Sequence, residues 1–286
     1  NLETSNVGDD LTGSQVVSSR RVAVFGGSEG ANVPNTNRCD LNSGVCEMDN
    51  SVVCENHLDC EAFVTCCADH IEEQMLPVDT WGTHYLAART KQRGEEAESW
   101  RVLAADSNTV VTTIPSQGNL PVLNAGEWFE FESMGHFELT ATKPVLVGQF
   151  MHSEHAPLPG VQPGDAGIGD PAFLLAIPAI QYRTETIVLS PPDFEESWLN
   201  IVSLATSTVR LNASILDSPC EPVGTGQYCV RTVLVPAGVH SISSEEPVGV
   251  TVYAYDQYVS YGYPGGMDLT RMNVLEPPTG SFFDDE

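Results

Sequence analysis

A chain of 286 residues with 41% hydrophobic content can fill one large or two ordinary globular cores. Its 12 Lys and Arg stand against 39 Asp and Glu, a formal net charge of -27, and a field of that sign repels phosphate backbones and anionic lipid heads, which excludes nucleic acid and acidic membranes as partners. No run reaches the length of a membrane span: the longest apolar stretch, from Ala172 to Ile180, is short and interrupted by Pro178.

At the front, Leu11-Thr12-Gly13-Ser14-Gln15 followed by Arg21-Val22-Ala23-Val24-Phe25 reads as a glycine turn and a terminal strand. Residues 1–38 are therefore expected to be the closing half of a first β unit, with Asn1 a cut or processed end inside a longer chain. Gly26-Gly27-Ser28-Glu29-Gly30 matches the G-x-S-x-G pattern of a hydrolase nucleophile elbow. An elbow needs a helix directly after the serine, and Asn32-Val33-Pro34-Asn35 is turn-forming. A glycine-rich turn leaving the strand explains the same residues.

Six cysteines follow between residues 39 and 67: Cys39, Cys46, Cys54, Cys60, Cys66 and Cys67. Cys220 and Cys229 flank a short loop much later. Even, clustered counts point to disulfides and an oxidising compartment. Zinc is the competing reading, but no C-x-x-C pair occurs. Cys220 is expected to pair with Cys229 and the other six among themselves, in a connectivity that spacing does not determine. The 39–67 stretch is polar and lacks hydrophobic periodicity, as a disulfide-held insertion does. Asp69 as N-cap, Glu72 three residues on, and Ile71 with Met75 on one face predict a short helix stopped by Pro77. Cys67 beside His70 also has the elements of a thiol nucleophile, but an oxidised sulfur is none.

Two long stretches share landmarks. Tyr85 to Phe150 and Thr186 to Tyr253 each open on an apolar run, then carry Glu-Ser-Trp (Glu98-Ser99-Trp100 and Glu196-Ser197-Trp198). An alternating run comes next (Thr109 to Ile114, Thr208 to Ala213), then an Ala-Gly turn (Ala125-Gly126, Ala237-Gly238) and a strand beginning Pro-Val (Pro144-Val145, Pro247-Val248). Proline is tolerated at a strand's first residue. The expected fold is all-β: duplicated sandwich-like units packed together, with a small disulfide-rich insertion and one short helix, and with Trp100 and Trp198 in equivalent buried positions. The second unit spans 68–151, the linker and third unit 152–266, and an acidic tail 267–286.

Between the units, His152 and His155 with Glu154, Asp165 and Asp170 supply the donors of a metal site, the plainer reading being an exposed linker. No D-x-[DN]-x-[DN]-G calcium loop occurs, so calcium rests on acidity alone and no other cofactor is expected. Late in the chain Tyr258, Tyr261 and Tyr263 stand at a Gly/Pro turn, where rings are held rigid and exposed for ligand contact; packing against the preceding strand is the plainer reading.

Several motifs stand in the order found in the N-terminal domain of IgGFc-binding proteins: Arg21 to Phe25, Ala31-Asn32-Val33-Pro34, Asp69 to Gln74, Pro77-Val78-Asp79-Thr80-Trp81-Gly82, Gly169-Asp170-Pro171, and Ser260 to Gly266. The chain resembles that domain over nearly its whole length apart from the cysteine insertion, which, with the acidity, suits a bacterial member. The resemblance implies an extracellular, non-enzymatic binding or adhesion module with no catalytic residues, whose partner is a glycan or protein. The alternative is a self-assembling subunit of an extracellular sheath, filament or matrix. Alkylation without reductant followed by mass spectrometry tests the oxidising compartment: all eight cysteines are expected to escape labelling, and a substantial free thiol counts against it.

Overall fold

The computed structural model describes residues 10–34, 39–40, 44–46, 49–53, 68–94, 96–154, 156 and 167–271. Nineteen strands are described: β1 (Phe25–Ala31), β2 (Cys39–Asp40), β3 (Val45–Cys46), β4 (Asp49–Val53), β5 (Asp69–Gln74), β6 (Gly82–Ala87), β7 (Glu98–Ala104), β8 (Val111–Ile114), β9 (Trp128–Ser133), β10 (Phe137–Met151), β11 (Ala172–Leu175), β12 (Arg183–Ser190), β13 (Glu196–Leu204), β14 (Val209–Leu211), β15 (Ser214–Ile215), β16 (Glu221–Val223), β17 (Tyr228–Val235), β18 (Gly238–Asp256) and β19 (Val259–Pro264). Among the described residues, helical structure is confined to two three-residue 3-10 turns, Val78–Thr80 and Ala179–Gln181.

The front departs from expectation in two ways. Residues Asp69–Gln74 form strand β5, not a helix, and pair antiparallel with β1. The eight residues from Asp69 to Leu76 are too few to sustain a helix alone, and burial alternates at their start, with Ile71 buried between exposed His70 and Glu72. The partnered strand therefore wins. Its partner starts at Phe25, not Val22, and runs through the glycines instead of turning there. A Cβ on Gly27 would stand 2.0 Å from the Ile71 carbonyl oxygen, so glycine is what lets the two backbones meet. Strands β2, β3 and β4 form a small separate sheet in the cysteine region, with Cys39 paired to Cys46 in register. Cys54, Cys60, Cys66 and Cys67 lie outside the described residues.

The rest of the chain is two sandwiches built on one pairing plan. In the first, the long strand β10 pairs with β6 and β8 through its first half and with β7 and β11 through its second, β9 lying outside β7. In the other, β18 pairs with β12 and β14 first, then with β13 and β19, and β17 lies outside β13. The correspondence extends to a break in register. From Thr140 to Val145 β10 advances five residues while β6 moves two, from His84 to Gly82. From Ser243 to Val248 β18 advances five while β12 moves two, from Glu185 to Arg183. Extra residues in one strand bend it, and the bend folds each long strand's two halves, with their partners, over a common core. One core holds Tyr85, Val111, Phe137 and Leu139 from one layer against Trp100, Val102, Val145 and Val147 from the other. The second sets Val188, Val209 and Ile242 against Leu199, Ile201, Val248 and Val250. Pro144 and Pro247 thus lie within long strands at the break, not at strand starts; there a missing N–H leaves no ladder bond unmade.

Aligning the two breaks matches Trp100 with Leu199, both fully buried, and not with Trp198. A one-residue slip turns a strand residue to the opposite face. Trp198 accordingly faces away from its own core: it packs beside Tyr253 and Tyr255, with the Lys91 ammonium 5.7 Å over its ring and its Nε1 donating to Glu196 Oε2 at 3.0 Å. The Ala-Gly turns do not correspond either, since Ala125-Gly126 precedes β9 whereas Ala237-Gly238 follows β17. The slip has a measurable consequence. In urea unfolding, Trp100→Ala is expected to cost about 3–5 kcal/mol and Trp198→Ala no more than about 1–2 kcal/mol; equal costs would contradict the register.

Candidate functional site

Two places concentrate the polar and aromatic chemistry. The first is the seam between the sandwiches. The segment after β6 runs between the two units, and Arg89, Thr90, Glu96 and Glu98 are all buried there. Burial of charge is tolerable only with partners, and these groups have them. Arg89 Nη2 donates to the Glu96 carbonyl at 2.5 Å and lies 3.4 Å from its carboxylate. Glu98 accepts from Thr90 N at 3.1 Å, from the Thr90 hydroxyl and from Gln149 Nε2 at 2.7 Å. From the second sandwich, Asn200 Nδ2 donates to the Arg89 carbonyl at 2.7 Å, and the Tyr255 hydroxyl to Thr90 Oγ1 at 2.7 Å. The Tyr253 hydroxyl accepts from Lys91 N at 2.8 Å. Arg93 spans the remaining gap, donating to the Ile168 carbonyl at 2.6 Å and the His152 carbonyl at 2.7 Å with its guanidinium 4.8 Å from the Tyr255 ring centre.

Three of the five expected metal donors fall beside this seam, buried and not in an exposed linker. His152 is buried with Nε2 3.0 Å from Ser99 Oγ, Glu154 is buried, and Asp170 donates its N–H to Ser260 Oγ at 2.8 Å. His155 and Asp165 lie outside the described residues. Among the described residues no group of three or more His, Cys, Asp or Glu is placed to hold a metal ion.

The seam is flanked by a hairpin. β16 and β17 are tied by the Cys220–Cys229 disulfide, whose Cα atoms are 5.3 Å apart. Val223, Val230 and Tyr228 pack on Leu86 and Ala88 of the first sandwich, and Thr225 N donates to Glu138 Oε2 at 3.1 Å. Gly224 has φ +56°, and a Cβ there would come within 2.2 Å of Glu138, so the tip closes on the first sandwich only as glycine. Burial raises the Glu138 carboxyl, but the Thr225 N–H and His84 outweigh it and hold it below the ordinary value.

The second place is the open end of the second sandwich. A cavity of about 360 Å³ is lined by Phe194, Glu195, Ser197, Leu234, Val235, Pro236 and Ala237. Phe194 meets Tyr261 edge-on at 4.8 Å, and Tyr261 stacks on Tyr263 at 6.3 Å. The Tyr263 hydroxyl donates to the Leu189 carbonyl at 2.6 Å and accepts its N–H at 3.0 Å. Both rings are half-buried and fixed, with hydroxyls pushed to higher pKa by burial, whereas Tyr258 is exposed at the tip of the β18–β19 turn with φ 56°. The structure thus groups Tyr261 and Tyr263 with Phe194. Phe194 and Leu234 escape sequence reading, because a strand-end hydrophobe beside Pro191-Pro192-Asp193 or Pro236 looks like core.

The described residues thus define an all-β module of two sandwiches joined by a buried polar seam, with a cavity beside Phe194 at one end. The chain matches the family described as IgGFc binding protein over residues 3–254, and it belongs to that family. No curated protein matches it, and no solved structure does. Among the described residues no helix is long and apolar enough to cross a membrane.

Glu98 gives the seam a pH dependence. Burial raises its pKa above the ordinary glutamate value, only partly opposed by Thr90, Arg89 and Gln149. A carboxyl that holds its proton more tightly folded than unfolded adds stability at low pH and loses it as pH rises through the folded pKa. Carbon-detected NMR titration is expected to place the Glu98 midpoint above about 4.3, and thermal unfolding of wild type should lose ground to Glu98→Gln across the same interval. A midpoint at or below that value would contradict the buried geometry.

Proposed function

We propose that the chain is an extracellular, non-enzymatic binding or adhesion module that takes a protein surface or a glycan at the open end of the second sandwich. The observation that carries this is the row Phe194, Tyr261, Tyr263 set beside the cavity of about 360 Å³. Tyrosine combines a large apolar face with a hydroxyl and few rotatable bonds, so fixed rings bind at low entropic cost. Leu234, Pro236 and Phe194 offer apolar surface, and Glu195 and Ser197 supply a charge and a hydroxyl at the same opening, the mixture that orients a ligand in a pocket. Membership in a family named for binding the Fc part of IgG supports a protein ligand, and the Cys220–Cys229 disulfide supports an oxidising, extracellular setting.

Surface plasmon resonance with an IgG Fc fragment and a glycan array test the reading. Leu234 is exposed, so Leu234→Ala is expected to weaken binding about tenfold without moving the melting temperature. Tyr261→Ala is expected to weaken it as much, with some loss of stability through Phe194, and Tyr258→Ala reports whether the turn tip takes part. Binding unaltered in Leu234→Ala and Tyr261→Ala would remove the cavity from consideration. No binding to either panel would favour a structural subunit.

A further inference from the structure

The two sandwiches carry the same outer face in different surroundings. Aligning the register breaks matches Leu86 and Glu138 with Ile187 and Ser241, and, one step along, Ala88 and His136 with Leu189 and Val239. In the first sandwich this face is covered: Leu86 and Ala88 are 4% and 8% exposed beneath the β16–β17 hairpin, His136 lies 3.5 Å from Glu221 and Glu138 accepts from Thr225. In the second, no described element covers it. Ile187 is 74% exposed, Leu189 53% and Val239 68%. An outer sheet face that is aliphatic in both places, yet covered in only one, behaves as an interface surface.

We propose that this outer face of β12, β14 and β18 is the contact between two copies of the chain, related by a two-fold axis along β18. Charge placement favours a copy of itself over an unrelated partner. Glu185 and Arg210 both pair with Ser243, from opposite sides of β18, and so share one face and one row. A two-fold axis parallel to β18 sets each copy's Glu185 opposite the other's Arg210 and brings Val239 against Val239. Aligned strands in sheets packed face to face fit that geometry. The interface within the chain supplies the precedent: the corresponding face of the first sandwich already joins aliphatic contact to the polar contacts of His136 and Glu138. The patch is small against standard interfaces, so the dimer is weak and depends on concentration. The net charge of -27 opposes association at low ionic strength, and salt relieves that opposition over the whole surface.

Sedimentation velocity over about a hundredfold range of protein concentration, at low and high salt, tests the proposal on the whole chain. Wild type is expected to form dimers, more readily at high salt. Ile187→Lys is expected to weaken them at least about tenfold with an unchanged melting temperature, since the side chain is exposed. Arg210→Glu is expected to weaken them, and the double variant Glu185→Arg with Arg210→Glu to restore them. A monomer at every concentration overturns the proposal, as do open-ended oligomers, a dimer indifferent to Ile187→Lys, or failure of the double variant to restore association. Leu234→Ala and Tyr261→Ala, which probe the cavity, keep the two readings separable.

Discussion

The register break in the middle of the long strands governs the architecture. A strand of 15 or 19 residues that kept one register throughout would make a single broad sheet with an uncovered face. Three surplus residues on β10 between Thr140 and Val145, and three on β18 between Ser243 and Val248, bend each strand so that its two halves face one another. The core follows, because the residues on either side of the bend, Leu139 and Val145 in one copy and Ile242 and Val248 in the other, turn inward from opposite layers. Prolines at the bend are compatible with it, since Pro144 and Pro247 stand where the pairing is already interrupted.

The seam depends on that architecture in turn. With each core filled from within its own sandwich, what remains to join the two is outer-face chemistry, which is polar as well as apolar. The segment from Arg89 to Glu98 pairs its Arg89, Glu96 and Glu98 charges within the first unit, and leaves the Arg89 carbonyl, the Lys91 N–H and the Thr90 hydroxyl to be met from outside it. The second sandwich answers with Asn200, Tyr253 and Tyr255. A polar network of this sort adds little as net stabilisation, but leaving one member unmatched in the dry interior is costly. It therefore fixes the relative position of the sandwiches more than it strengthens their attachment.

How much of this was legible in the sequence follows from the same distinction. The all-β class and the Cys220–Cys229 pairing were legible because alternation and close spacing are local. Pro-Val marked equivalent positions because proline is confined to breaks in pairing. Glu-Ser-Trp misled: a one-residue difference between the units, invisible as similarity, reverses the face of a strand, so Trp100 fills a core while Trp198 meets the seam. The helix expected at Asp69 failed for a non-local reason, the availability of β1 as a partner. His152, Glu154 and Asp170, expected as metal donors, read as an exposed linker because sequence does not show that the fold buries them, His152 against Ser99 of the first sandwich and Asp170 against Ser260 of the second. The cavity at Phe194 and Leu234 was hidden in the same way, since its walls come from segments far apart in the chain.

The hairpin β16–β17 shows how one unit is specialised to hold the other. Between β14 and β17 the second sandwich inserts β15 and β16, where the corresponding connection of the first, between β8 and β9, has no strand and makes one isolated bridge, from Leu123 back to Thr109 ahead of β8. β17 is paired along its length with β13, and β16 is a three-residue edge strand that, among the described strands, pairs with β17 alone. Cys220–Cys229 closes a nine-residue separation across the hairpin, which restricts the alternatives open to the edge strand more than it strengthens either core. The part so constrained is the part that touches the first sandwich: Val223 and Val230 over Leu86, Glu221 beside His136, Thr225 on Glu138. Burial, reinforced by Arg89, lowers the His136 pKa against the opposing pull of Glu221, so the contact with the hairpin relies on packing and hydrogen bonding more than on a full ion pair. The disulfide thus ties the edge strand that makes this contact to the strand that carries it into the sheet.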